Sequence, residues 1–130
     1  MYRATTALRK LVKAGKFLEL PTAHDALTGK LIQSIGFKSL YVGGFVTGGS
    51  TTISEPQLTM TEQIGLASNI ANGLKIPVVM DAGAGWGEPL HTMRTIRECI
   101  RAGIAGVHIE DQLFPKRAHY HTYVAHNIPI

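Results

Sequence analysis

Two acidic residues stand directly after apolar runs that are typical of buried strands. Asp81 follows residues 76–80, and Glu110 follows residues 106–109. The carboxyl ends of neighbouring parallel strands lie about 5 Å apart at one edge of a sheet, so these two carboxylates are expected to lie close together. They then need a counter-charge, which a divalent cation that prefers oxygen ligands, Mg²⁺ or Mn²⁺, can supply. The alternative is that Asp81 caps its turn while Glu110 pairs with Lys116 or Arg117.

Glycine-rich turns follow two of the apolar runs. Gly43 and Gly44 come after residues 39–42, where they could offer backbone N–H groups to a carboxylate or simply allow close packing. The turn Gly-Ala-Gly-Trp-Gly at residues 83–87 has neither the G-x-G-x-x-G spacing of dinucleotide sites nor the G-x-x-x-x-G-K-[ST] spacing of phosphate-binding loops. This second turn therefore indicates a close approach of backbone to a ligand and not nucleotide binding.

The elements that must position these residues alternate between helical and strand patterns. Apolar spacing, together with Gly15, Gly36 and Pro89 as boundary residues, predicts helices at about residues 6–13, 26–35, 61–72 and 89–102. The predicted strands are residues 17–20, 39–42, 76–80 and 106–109. The polar stretch 47–54 is predicted to be a loop, and His108 is expected to be a buried histidine within its strand.

This alternation predicts a parallel α/β fold. The last two strands are almost wholly apolar, as strands covered on both faces are. A (β/α)₈ barrel of TIM type needs roughly 250 residues, so a chain of 130 residues supplies its first four strand–helix units. A doubly wound sheet suits the length too, but it needs a fifth strand. We therefore predict that residues 1–130 form a single partial barrel domain, with residues 112–130 as a tail resembling an active-site loop.

Composition excludes several classes of protein. The net charge is +4, but the basic residues are scattered and no aromatic residues alternate with them, so nucleic acid is not an expected partner. No apolar run is long enough for a membrane span, and the N-terminus lacks the apolar core of a signal peptide, so no membrane partner is expected. The single cysteine, Cys99, falls among apolar helix positions and is expected to be buried. Low cysteine usage favours a cytoplasmic location.

Four segments resemble the isocitrate lyase and phosphoenolpyruvate mutase superfamily. They are Asp-Ala-Gly-Ala-Gly-Trp-Gly at residues 81–87, Ile-Glu-Asp-Gln-Leu-Phe-Pro-Lys-Arg at residues 109–117, Ala-His-Asp-Ala-Leu at residues 23–27, and residues 36–41. The resemblance covers residues 8–116 approximately. It implies a (β/α)₈ barrel, a homo-oligomer, that holds Mg²⁺ or Mn²⁺ beside a small α-oxo or α-hydroxy carboxylate and acts through a metal-stabilised enolate.

The resemblance also implies roles for individual residues. Asp81 and Glu110 would bind the metal, and the substrate would contact Tyr41, Gly43, Gly44 and Asp81. Lys116 and Arg117 would begin a mobile loop that closes over the site. The implied function is a carbon–carbon lyase, with a phosphonomutase or hydrolase of the same superfamily and a non-catalytic half-barrel as the alternatives.

Three positions depart from the pattern of the superfamily. Gly83 stands where the family has a second metal-binding aspartate, and Gln57 stands at the expected position of a further acid. Ala118 replaces the cysteine that acts as general acid in the lyases. The proton would then have to come from a neighbouring side chain that titrates or donates, namely His119, Tyr120 or His121.

Overall fold

The computed structural model describes residues 2–116 of the chain. Helices separate the strands along them, but the chain opens with two helices that have no strand between them. In chain order the elements are α1 (Ala4–Lys13), α2 (Ala26–Ile35), β1 (Leu40–Val42), α3 (Gly44–Thr51), a 3₁₀ turn (Glu55–Gln57), α4 (Met60–Asn72), β2 (Val78–Asp81), α5 (Pro89–Arg101) and β3 (Gly106–His108).

The three strands form one parallel sheet in the order β1-β2-β3. In the central strand, Met80 lies opposite Val42 of β1 and Val107 of β3, and Asp81 lies opposite His108. The carboxyl ends of all three strands therefore meet at one edge. The predicted parallel sheet is confirmed.

The core lies between this sheet and the helices that cover it. Apolar side chains of β1 and β2 are almost fully buried and belong to one cluster with α4, which includes Leu40, Val42, Val78, Met80, Ala67 and Ile70. Cys99 of α5 belongs to the same cluster and is 3% exposed, so its predicted burial is confirmed. The apolar runs that predicted the strands thus form the packed centre of the fold.

The predicted first strand, residues 17–20, is wrong. Phe17 is 91% exposed, and pairing in this part of the described chain is limited to one parallel bridge between Thr22 and Tyr41. The Tyr41 N–H donates to the Pro21 carbonyl and the Ala23 N–H donates to the Tyr41 carbonyl, both at 2.9 Å. Proline has no N–H that could continue the ladder back towards residue 17. Three strands and a bridge therefore stand where four strands were predicted.

The predicted loop at residues 47–54 is also wrong, because most of it belongs to α3. Its glycines and hydroxyl residues are poor helix formers in isolation, but tertiary packing decides the outcome. A Cβ atom on Gly48 would lie 2.5 Å from the Ile53 carbonyl oxygen, so only glycine lets the chain fold back so closely after the helix. Thr52 ends the helix in the left-handed conformation, with φ 59°. The chain then enters the 3₁₀ turn, which brings Glu55 to the edge of the sheet.

The other helix boundaries follow the sequence signals closely. Pro89 is the first residue of α5, and Gly36 ends α2 with φ 109°. Helix α4 begins one residue earlier than predicted, after a capping box in which the Thr59 hydroxyl accepts from the Glu62 N–H and the Glu62 carboxylate accepts from the Thr59 N–H. Within residues 2–116, none of the helices is long and apolar enough to cross a membrane.

Candidate metal and carboxylate site

Three carboxylates meet at the carboxyl edge of the sheet. Asp81 is the last residue of β2, Glu110 lies just after β3, and Glu55 begins the 3₁₀ turn after α3. One carboxylate oxygen from each lies within 4.8 Å of the other two. The structure therefore brings Asp81 and Glu110 together and adds a third acid to them.

Glu55 is the acid that sequence reasoning missed. The resemblance indicated Gln57 as the position of a further acid, but Gln57 ends the 3₁₀ turn and Glu55 faces the cluster. One signal was available, because Glu55 is the sole carboxylate residue between Asp25 and Glu62. This signal alone does not place Glu55 at the site, because the position of Glu55 depends on residues 44–51 forming a helix and not an extended loop.

Two backbone N–H groups hold the Asp81 carboxylate. Its Oδ1 accepts from Gly83 at 2.8 Å, and its Oδ2 accepts from Gly44, the first residue of α3, at 3.3 Å. Gly83 has φ +48°, in the left-handed region that favours glycine. A Cβ atom on Gly44 would lie 2.8 Å from Glu55 Cγ, so a side chain at this position would displace that acid. The glycines thus serve the carboxylate cluster directly.

Lys116 places its ammonium group among the acids. Its Nζ donates to Glu110 Oε1 at 2.9 Å and also to Glu55 Oε1. Burial alone would lower the pKa of Lys116, but the hydrogen bonds to Glu55 and Glu110 outweigh it and raise the pKa above its usual range. The group is therefore a permanent cation that supplies part of the counter-charge. The sequence also allowed an interpretation without a metal, in which Asp81 caps its turn and Glu110 pairs with a basic residue. Both of these contacts are present, since Asp81 caps its turn and Glu110 pairs with Lys116.

The site retains features that fit a divalent cation. Glu110 Oε2 is buried and has no hydrogen-bond partner among the described residues. Three carboxylates against one ammonium leave excess negative charge, and all the donor atoms are oxygens, which suit Mg²⁺ or Mn²⁺. The residues present therefore fit such an ion, with Glu55, Asp81 and Glu110 as its ligands.

Tyr41 lies on the neighbouring strand beside the cluster. Its hydroxyl is 3.3 Å from Nδ1 of His108, and the two rings lie 5.2 Å apart. His108 is exposed and not the buried histidine expected from the sequence, because β3 leaves this face open. Partial burial and the nearby charges of Asp81 and Glu110 raise the pKa of Tyr41 to about 12. Tyr41 is therefore a neutral phenol at physiological pH.

Two adjoining cavities border the cluster. The smaller, about 30 Å³, is lined by Asp81, Glu55 and Lys116 and has an apolar wall of Leu58, Trp86 and Phe114. The Trp86 indole N–H donates to the Leu58 carbonyl at 2.8 Å, which fixes the ring in this wall. The larger cavity, about 610 Å³, shares Ala84 and Phe114 with the first and is lined by Glu110 and Gln112. The first has room for an ion or water, and the second has room for a small substrate.

Part of the predicted site lies outside the described residues. Arg117, His119 and His121 belong to this part, together with Tyr120 and most of the predicted tail. Six predicted site residues lie within residues 2–116. The structure brings together Gly44, Asp81, Glu110 and Lys116, and it places Tyr41 and Gly43 next to them at the end of β1.

Comparisons with known proteins identify the family of this chain. Residues 8–127 match the phosphoenolpyruvate phosphomutase family, so the chain belongs to that family and to the superfamily that its motifs resemble. A 2,3-dimethylmalate lyase from Eubacterium barkeri is 38% identical over 113 residues, which are 85% of this chain and 39% of the lyase.

Solved structures show the same relationship. A phosphoenolpyruvate phosphomutase from Streptomyces platensis subsp. rosaceus superposes with a TM-score of 0.92 at 30% identity, over 98% of this chain and 45% of that one. A phosphonopyruvate hydrolase solved with oxalate and Mg²⁺ gives 0.84 at 26% identity, over 88% and 41%. The predicted fold is confirmed as part of a parallel (β/α) barrel. The chain spans less than half the length of these relatives.

Proposed function

We propose that this chain supplies the metal-binding part of a Mg²⁺-dependent carbon–carbon lyase that acts on a small α-oxo or α-hydroxy carboxylate. The observation that carries the proposal is the cluster of Glu55, Asp81 and Glu110, with their oxygens within 4.8 Å of one another. Membership of the family supports it, because one relative is a 2,3-dimethylmalate lyase and another was solved with oxalate and Mg²⁺. We also propose that residues 1–130 act as one partial barrel domain.

The ion and the residues of the chain have separate tasks in this proposal. Bound Mg²⁺ would supply a Lewis acid that polarises an oxygen of the substrate. Gly44 and Gly83 orient the Asp81 carboxylate through their N–H groups. The first turn of α3 also has N–H groups without helical partners and carries partial positive charge, so it suits a carboxylate of the substrate. Tyr41, as a neutral phenol, can donate a hydrogen bond to a substrate oxygen.

Lys116 must move before an ion can enter. Its ammonium group lies between Glu55 and Glu110, where a cation bound to both acids would lie. Lys116 belongs to the segment that we expect to close over the site, so its release would leave a cation next to the bound substrate. There it could balance the negative charge of the carboxylate, which is the role we propose for it.

A phosphonomutase or hydrolase is the second candidate. The family model that matches residues 8–127, that of phosphoenolpyruvate phosphomutase, favours it. Ala118 favours it as well, because the cysteine that serves the lyases as general acid is missing. Both candidates use the same three carboxylates, so metal binding does not separate them and a comparison of substrates does.

The first experiment is a thermal melt of the chain with and without Mg²⁺ and oxalate, with Glu110→Gln as the variant. A ligand at about 100 times its dissociation constant stabilises the folded state by roughly 2.7 kcal/mol, which raises the midpoint by several degrees in a small domain. We expect this rise in the unchanged chain and its loss in Glu110→Gln. Glu19→Gln is the matched control, because Glu19 is exposed and precedes the parallel bridge of Thr22, towards the amino end of the sheet and away from the carboxyl edge. An equal rise in Glu110→Gln would contradict the proposed metal site.

A second experiment separates the candidates. The chain is incubated with Mg²⁺ and either 2,3-dimethylmalate or phosphonopyruvate, and the products are followed by NMR. Cleavage of the first supports the lyase, and conversion of the second supports the mutase or hydrolase. Binding of oxalate without turnover of either would support the non-catalytic half-barrel as the function of residues 1–130, and the proposed metal site would stand.

A further inference from the structure

Gln63 is a buried amide on α4 that directly joins two other elements of the site. It is 1% exposed, its Oε1 accepts from the Thr47 hydroxyl at 2.6 Å, and its Nε2 donates to the Asp81 backbone carbonyl at 3.5 Å. Burial of an amide is unfavourable unless it is hydrogen-bonded, and an apolar side chain of similar size would fill the same space. The polar contacts therefore distinguish this residue from its neighbours in the core.

The Asp81 carbonyl lies where β2 is still paired with β3 but no longer with β1. Pairing between β1 and β2 ends at Val42 and Met80, so Asp81 is one residue beyond the last pair. The chain turns into α3 at this point, and the Gly44 N–H donates to the Asp81 carboxylate. Gln63 thus contacts the end of β2 at the place where β1 no longer accompanies it.

The other end of the amide reaches the first turn of α3. Thr47 belongs to that turn, since its N–H donates to the Gly43 carbonyl at 3.1 Å, and it is fully buried. The same turn supplies the Gly44 N–H that holds Asp81. Thr47, Gln63 and Asp81 therefore form a chain of contacts that closes on itself through Gly44.

We propose that Gln63 is a positioning residue that sets the distance between the first turn of α3 and the end of β2, and thereby the orientation of the Asp81 carboxylate. The inference rests on the metal site proposed above. Partners that orient a metal ligand commonly change metal affinity by about 10–100-fold when they are removed. We expect an effect at the lower end of that range, because Gln63 acts on Asp81 alone.

The test is the affinity of the full chain for Mn²⁺, measured by calorimetry, together with amide hydrogen exchange at Gly44 in the metal-free chain. Gln63→Met removes both polar contacts and keeps an unbranched side chain of similar length. We expect its dissociation constant for Mn²⁺ to rise about tenfold and the Gly44 amide to exchange faster. Ile70→Val is the control, because Ile70 is a buried residue of the same helix that belongs to the apolar core. It should lower the melting midpoint without changing either readout.

A second pair of variants covers the possibility that Gln63→Met fails to fold. Thr47→Val removes the hydroxyl with little change of shape and should weaken Mn²⁺ binding in the same direction, and Thr47→Ser should restore it. If Gln63→Met folds and matches the unchanged chain in Mn²⁺ affinity and in Gly44 exchange, Gln63 is a packing residue and the inference is wrong. If the unchanged chain binds no Mn²⁺, the proposed function fails, and Gly44 exchange alone then decides the role of Gln63.

Discussion

Replacement of Lys116 by methionine removes the ammonium group from the carboxylate cluster and keeps most of the apolar stem. In the unchanged chain an incoming ion must break the hydrogen bonds from Lys116 to Glu55 and Glu110. A hydrogen bond to a charged group contributes about 1.5–3 kcal/mol, and each 1.4 kcal/mol is a tenfold change in affinity. The Glu110 side chain is 34% exposed, so water weakens the interaction and the smaller value applies. Since one or both bonds contribute at this value, Lys116→Met should bind Mn²⁺ between about 10-fold and about 100-fold more tightly.

The same change should destabilise the chain when no metal is present. Glu55 and Glu110 would lose their shared partner and repel each other and Asp81, so the melting midpoint should fall. Saturating Mn²⁺ replaces the lost positive charge and should bring the midpoint up to that of the metal-loaded unchanged chain or above it. The rise caused by Mn²⁺ is therefore larger in Lys116→Met than in the unchanged chain.

The assay combines Mn²⁺ calorimetry with thermal melts at two metal concentrations. Lys38→Met is the matched control, because Lys38 is exposed and precedes β1, at the amino end of the strand and opposite the carboxyl edge that holds the cluster. It should leave the Mn²⁺ affinity unchanged. Equal or weaker Mn²⁺ binding by Lys116→Met would show that the ammonium group and the ion do not compete for the same carboxylates.

Three further predictions follow from other parts of the structure. Gly44→Ala should weaken Mn²⁺ binding by tenfold or more, because the new Cβ displaces Glu55. Gly49→Ala in the same helix places a Cβ that meets no atom within 4 Å, so it should raise stability by roughly 0.5–1 kcal/mol. Calorimetry with Mn²⁺ and thermal melts of the two variants check these expectations. Burial raises the pKa of the Cys99 thiol to about 11. The stability that the buried neutral thiol contributes is therefore complete below the pKa of the same thiol in the unfolded chain, about 8.5, and is lost as the pH rises towards 11. Urea unfolding of the unchanged chain and of Cys99→Ala between pH 8 and pH 11 should show this extra loss only in the chain with the thiol, and parallel curves would contradict it. Thr59→Ala should lower stability by about 1 kcal/mol through loss of the helix cap, with no change in Mn²⁺ affinity; a change in affinity would show that α4 is coupled to the site through its N-terminus.

The elements that sequence patterns predicted well are those whose signals are local. Pro89 at the start of α5 has its φ fixed by its ring, and Gly36 at the end of α2 adopts a positive φ without steric cost. The apolar runs before Asp81 and Glu110 predicted two strands, and parallel pairing then brought both carboxylates to one edge. These inferences require no knowledge of distant contacts.

The elements that the sequence did not reveal depend on packing between distant residues. Helix α3 has a composition typical of a loop, and it forms because Gly44 and Gly48 let Glu55 and Ile53 approach closely. Glu55 reaches the cluster only through this helix, which explains why Gln57 was indicated in its place. Residues 17–20 have the composition of a strand, but Pro21 interrupts the pairing that would have ordered them.

The most direct test of the metal site is a Mn²⁺ titration of the unchanged chain and of the variant Asp81→Asn. Electron paramagnetic resonance measures the free ion at each step of the titration. Asp81 is the central ligand, because backbone N–H groups fix both of its oxygens. The proposed site predicts one Mn²⁺ bound per chain and a loss of more than about tenfold in affinity in Asp81→Asn, because a change to a ligand should cost at least as much as the loss of a partner that orients one. Equal binding by both chains, or no binding by the unchanged chain, would contradict the assignment of Glu55, Asp81 and Glu110 as the metal ligands.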